Sequence, residues 1–159
     1  MTAMNGRNNE GRKKVLAVAS SGGHWTQLLR VTPAFTSDEI VFVTVLESYR
    51  GQVPENKVHI VSDANRWNKF ALIVLAIRIG WIVARERPNV VVSTGAAPGY
   101  FALLFGRLFR ARTIWIDSIT NIEHLSMSGS LAGKYADLWL TQWPHLATPK
   151  GPRYGGSVL

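Results

Sequence analysis

The sequence predicts an α/β fold of the Rossmann-like kind, a doubly wound sheet of parallel strands, and three observations carry that prediction. Short apolar runs rich in β-branched residues recur at 15–19, 40–46, 58–61, 90–92, 113–116 and 138–141. Most are continuous rather than alternating, the pattern of strands covered on both faces. Helical candidates lie between most of them, and strand–helix alternation points to an open parallel sheet.

The elements follow in order along the chain. Residues 1–13 are polar, basic and Gly/Asn-rich, with no apolar stretch after the basic residues, so they are expected to be a disordered leader rather than a signal peptide. A single domain is expected over 14–159. Its first strand runs into Ser20-Ser21-Gly22-Gly23-His24-Trp25, a glycine turn that opens a helix over 24–34. After the strands at 40–46 and 58–61, a helix is predicted over 67–87, stopped by Pro88. Pro98 suits the first turn of the next helix, 98–109, because its missing N–H has no helical carbonyl to meet there. A last helix over 128–135 precedes the sixth strand.

Composition narrows the function classes. The absence of cysteine excludes disulfides and thiolate chemistry, and fits a cytoplasmic setting. Lysine and arginine outnumber the acids 18 to 10, a net charge of +8 that favours a polyanionic partner: nucleic acid, anionic lipid or a phosphorylated substrate. Hydrophobic residues make 47% of the chain and charged ones only 18%, which implies extra buried or membrane-facing surface. The four histidines, at 24, 59, 124 and 145, form no metal-ligand spacing or catalytic triad.

In a parallel sheet, ligands gather outside the carboxyl ends of the strands. Ser21, Gly22 and Gly23 lie after the first run, and Ser93, Thr94, Gly95 and Gly99 repeat the small-residue, helix-opening arrangement after the fourth. Asp117 and Ser118 follow the fifth run, and Gln142-Trp143 the sixth. Two such loops on one sheet edge would make a crevice whose amides suit a phosphate or diphosphate. The competing reading is that tight strand-to-helix corners need small residues anyway. His24 is the histidine placed for acid–base or anion-binding work, whereas His59 sits inside a strand and reads as structural. Glu47, at the end of the second strand, is either the acid of a dinucleotide site or a solvated carboxylate; no G-x-G-x-x-G accompanies it.

Two segments are unusually apolar. Residues 70–84 carry Arg78 as their only charge, and at 1.5 Å per residue they reach about 22 Å, short of the ~30 Å hydrocarbon core. Arg66, Lys69, Arg85 and Arg87 flank them, with Trp67 and Trp81 suited to headgroup depth, so a helix lying on an anionic membrane competes with one buried against a partner. In the second segment Arg107 and Arg110 are expected to share a helical face near Phe101, Phe105 and Phe109. No nucleic-acid-binding motif accompanies this patch.

Taken in order, Ser20-Ser-Gly-Gly-His24, Ser93-Thr-Gly-Ala-Ala-Pro-Gly99, Asp117-Ser118, Ser126-Met-Ser-Gly129 and Ala136-Asp137 through Gln142-Trp-Pro144 make the chain resemble a known family. It resembles the membrane-associated, acceptor-side subunit of the two-subunit UDP-N-acetylglucosamine transferase of lipid-linked oligosaccharide synthesis, in particular its bacterial exopolysaccharide branch. The likeness covers about residues 14–159 and includes an ending, Tyr154-Gly-Gly-Ser-Val158, like the family's own. It implies the N-terminal half of a GT-B glycosyltransferase, attached peripherally to the cytoplasmic face of the membrane. A small donor-binding glycosyltransferase subunit would hold most of the UDP-sugar co-substrate, with no tightly bound cofactor or metal. The acceptor would be a polyprenyl-diphosphate-linked saccharide, and His24 would orient or deprotonate its hydroxyl. Eukaryotic members add an N-terminal membrane anchor, and many relatives carry glutamate where Asp117 stands. Alternatives are a non-catalytic membrane scaffold for the partner and an NAD(P)-dependent oxidoreductase.

Overall fold

Continuous apolar runs need cover on both faces, and the computed structural model, which describes residues 11–64 and 67–158, supplies it. Among the described residues seven strands form one all-parallel sheet: β1 (Lys14–Val18), β2 (Glu39–Thr44), β3 (Lys57–Ile60), β4 (Val90–Ser93), β5 (Arg112–Ile116), β6 (Leu138–Thr141) and β7 (Arg153–Tyr154). Their order is β3-β2-β1-β4-β5-β6-β7. The helices are α1 (Gly23–Val31), α2 (Lys69–Glu86), α3 (Ala96–Leu108) and α4 (Met127–Ala132).

Alternate strand residues feed two cores. Val15 and Ala17 join Trp25 and Leu28 of α1 on one face. Leu16 and Val18 join Leu75 and Ile79 of α2, Leu103 of α3 and Ala132 of α4 on the other. With Leu16 aligned to Val41 and Val91, the β-branched side chains stack in register across the centre of the sheet.

The structure moves several predicted boundaries, each for a local reason. The expected helix 24–34 divides into α1 and a short 3₁₀ helix, Thr32–Phe35, because Pro33 has no N–H to give Leu29; the Thr32 hydroxyl bonds the Leu29 carbonyl instead, at 2.7 Å. Asn68 caps α2 through the Ala71 amide and Ser126 caps α4 through the Gly129 amide, so α4 starts at Met127 and ends before Tyr135. The third helix begins two residues before Pro98, which remains in its first turn.

Arg107 and Arg110 do not share a helical face. The helix α3 stops at Leu108, Arg110 turns left-handed at φ 63°, and the Ala111 amide reaches back to Gly106 at 2.9 Å, closing the end as a glycine-capped helix would. Arg107 pairs with Asp137 instead. The two-residue strand β7 and the 3₁₀ helices Glu47–Gln52 and Pro144–Leu146 carry no apolar run, and the sequence did not announce them.

Candidate functional site

From β1 the chain winds outward to β2 on one side, and from β4 to β5 on the other, so the loops after β1 and β4 part at the centre of the sheet. This reversal point opens a crevice at the carboxyl ends of the strands. On its first wall Gly22, at φ 65°, turns the chain into α1. Its amide donates to the Tyr49 hydroxyl at 3.0 Å, and the Tyr49 ring stacks on buried Trp25, centroids 4.8 Å apart. The first-turn amides of α1, for which a helix supplies no carbonyl, lie at the same corner.

The second wall is locked to the first. The His24 Nδ1 lies 2.9 Å from the Thr94 carbonyl, which can only accept, so this nitrogen carries the proton. In return the Thr94 hydroxyl donates to the His24 carbonyl at 2.6 Å. Gly95, at φ 147°, runs its backbone against the imidazole, where an added Cβ would overlap the ring. In the neutral ring Nε2 is therefore left with its lone pair, and no described residue bonds it. The sequence separates His24 from Thr94 by 70 positions; the topology makes them neighbours.

Four of the residues expected to contact a ligand lie beneath this rim. Ser93 is fully buried, its hydroxyl accepting the Gly95 amide, and Gly99 is the gap that lets α3 sit on that hydroxyl. Both occupy buried packing positions beneath the rim. Asp117 is 1% exposed: Oδ1 accepts from Trp115 Nε1 and Ser126 Oγ, and Oδ2 from Asn121 Nδ2 and the Ser126 amide. These four hydrogen bonds fold the 117–126 loop around its carboxylate. Ser118 accepts from Gln27 Nε2 at 3.0 Å.

Gln142, expected at the rim from its place after the sixth run, and Gln27, which the sequence reading did not single out, organise that rim together. Gln142 Nε2 donates to Gln27 Oε1 and to the Asp117 carbonyl, and Gln142 Oε1 accepts the Val158 amide at 2.7 Å. Thus α1, the loops after β5 and β6 and the tail share one buried network. The available signal was an amide side chain at position 27 between the buried Trp25 and Leu28.

The face of α2 turned from the sheet is apolar. Phe70, Ile73, Val74, Ile77 and Trp81 form one stripe, with Phe70 76% and Ile77 68% exposed. Trp67, 80% exposed, precedes it. The Arg78 and Arg85 guanidinium groups lie 5.4 and 5.2 Å from the Trp81 ring centroid, one turn to either side. Lys69 begins the helix and Arg87 caps it at φ 47°; Arg66 lies outside the described residues. No described helix is long and apolar enough to cross a membrane.

Comparison with known proteins adds a match between residues 68–158 and the model of the family described as "Oligosaccharide biosynthesis protein Alg14 like". The chain belongs to this Alg14-like family. The subunit ALG14 of the UDP-N-acetylglucosamine transferase of Yarrowia lipolytica is 27% identical, over 88% of this chain and 77% of its own length. Its human counterpart is 25% identical, over 83% and 76%. Among solved structures, Acinetobacter baumannii MurG superposes with a TM-score of 0.76 at 12% identity, over 92% of this chain and 46% of MurG. The Alg14-like chain therefore has the fold of the N-terminal half of a GT-B glycosyltransferase and spans about half the length of MurG.

Other titratable residues of the Alg14-like chain lie away from the crevice or are internally paired. Glu47 is exposed and bonded to Arg50. His59 meets Glu86 at 2.8 Å at the opposite, amino end of the strands. Glu86 is buried there: burial raises its pKa, but hydrogen bonds from Lys57, His59 and Lys14 outweigh that and bring it from 4.5 to about 2. Among the described residues, no group of three His, Asp or Glu side chains is placed to hold a metal ion.

Proposed function

We propose that this chain is the acceptor-side subunit of a two-subunit glycosyltransferase that moves a sugar from a UDP-sugar to a polyprenyl-diphosphate-linked saccharide, in the bacterial exopolysaccharide or oligosaccharide setting. A small donor-binding partner subunit would hold most of the UDP-sugar. The interlock of His24 with Thr94 at the sheet's reversal point carries the reading, because it aligns a basic nitrogen with the glycine loop that opens α1. Family membership supports the class of reaction.

In this reading Ser21, Gly22 and Gly23 with the first turn of α1 face the acceptor's diphosphate-sugar end, and the buried Thr94 and Gly95 hold His24 beside them. The Nε2 of His24 accepts the proton of the attacking hydroxyl, and the Thr94 carbonyl stabilises the imidazolium through Nδ1–H. The buried Asp117, Ser118, Ser93 and Gly99 hold the walls in place. The helix α2 lies on the cytoplasmic face of the membrane through its apolar stripe, with Trp67, Lys69, Trp81, Arg85 and Arg87 at its margins.

Replacing His24 by Ala in the reconstituted pair is expected to lower sugar transfer by about 10²- to 10⁴-fold while pairing and membrane binding persist. Unchanged transfer by an intact pair would remove the proton-accepting role. That result would favour the second reading, a non-catalytic membrane scaffold, to which the exposed α2 stripe is equally suited. For the oxidoreductase alternative, a calorimetric titration of the isolated chain with NAD(P) decides: no heat eliminates it.

A further inference from the structure

Beside the crevice, an apolar recess of about 380 Å³ opens between the amino-terminal halves of α2 and α3 and the short helix α4. Among the described residues Ala64, Leu72, Ala97, Phe101, Met127 and Leu131 line it beside Ala96, and Tyr100 and Ser128 bring polar side-chain atoms. None of the described residues that line it is charged. We propose that this recess holds the first isoprene units of the acceptor's lipid chain, next to its diphosphate.

Three observations select that occupant. Ala96 follows Gly95 directly and turns left-handed at φ 66°, so the loop that lies against His24 on one side becomes the wall of the recess on the other. A molecule with an anionic head in the crevice thus meets hydrocarbon-compatible surface within one residue. At the far side Leu72 shares α2 with Phe70 and Ile73 of the exposed stripe, which continues the apolar path toward the surface assigned to the membrane. The walls also suit a flexible chain: alanines leave room, and Met127 and Leu131, both partly exposed, can follow its shape. The Tyr100 and Phe101 rings, packed edge to face at 5.2 Å, form the rigid side.

This inference rests on the acceptor-side function proposed above, and its test separates the two. Binding of farnesyl diphosphate, dimethylallyl diphosphate and inorganic diphosphate to the full chain is measured in detergent-free buffer. The expected result is that the three-isoprene compound binds at least about tenfold more tightly than the one-isoprene compound. Ala97→Phe, which fills the recess, and Leu131→Asn, an exposed change that leaves folding intact, should each erase most of that difference while inorganic diphosphate binds as before. Equal binding of all three diphosphates overturns the recess and leaves the crevice standing; no binding of any overturns both. If the chain-length effect survives both variants but disappears with Ile77→Asn, the hydrocarbon lies on the α2 stripe and the proposal is wrong. Loss of the effect on adding the donor-binding subunit would assign the recess to that partner and likewise overturn it.

Discussion

The hydrogen bond from His24 to the Thr94 carbonyl gives one imidazole its tautomer, and Gly95 is the residue that makes the contact possible. An L side chain there is penalised twice, by the left-handed φ of 147° and by overlap with the ring. Gly95→Ala is therefore expected to displace His24, costing about 1–3 kcal/mol in urea denaturation. In the reconstituted pair it should reduce transfer to the level of His24→Ala; wild-type transfer with a shifted unfolding midpoint would show that the ring's position is irrelevant to chemistry. Asp117 teaches the complementary lesson. In sequence it stands at the end of a strand like a ligand-binding acid, and only its four donors reveal an internal role.

Among the elements, α2 departs most from an ordinary soluble helix, since both of its faces are apolar. Leu75, Ile79, Ile82 and Val83 bury one face, and the sequence alone could not say what became of the other. The structure leaves that face open, with Trp81 held between two arginines. Ile77→Asn combined with Trp81→Ser should reduce co-sedimentation with anionic vesicles several-fold, with stability changed by no more than about 0.5 kcal/mol because both side chains lie outside the core. Equal pelleting of the variant and the parent would end the membrane assignment. Neutralising Arg85 and Arg87 should weaken the salt dependence of the same binding.

At the scale of the molecule, the two ends of the sheet do different work. The carboxyl end carries the crevice and the Gln27–Gln142 network, and the amino end is fastened by Glu86, whose carboxylate joins Lys14 at the start of β1 to Lys57 and His59 of β3. The folded pKa of Glu86, about 2, lies below its ordinary 4.5, so its contribution is present above about pH 4.5 and is lost as pH falls toward 2. The loss is on the order of 3 kcal/mol, since the side chain is nearly fully buried. Urea unfolding between pH 6 and pH 3 should show about 2 kcal/mol of this fall in the parent, the rest being lost below pH 3, and Glu86→Gln should be less stable at pH 6 with a flatter profile. Parallel profiles would mean that the cluster does not fasten the sheet.

The sequence by itself determined the alternating order of strands and helices, the burial of the sheet on both faces and the two glycine-bearing corners, because these follow from local runs of apolar and small residues. Its six apolar runs mark six of the seven strands among the described residues. Only the tertiary structure decided which corner residues face outward. Ser93 and Thr94 are adjacent and both buried, yet one supports the loop and the other clasps His24 across 70 residues. Such roles depend on strand order and long-range pairing, to which no local pattern has access. The glycine turn at residues 20–25 was legible as a corner; its partnership with the corner after β4 came from the sheet.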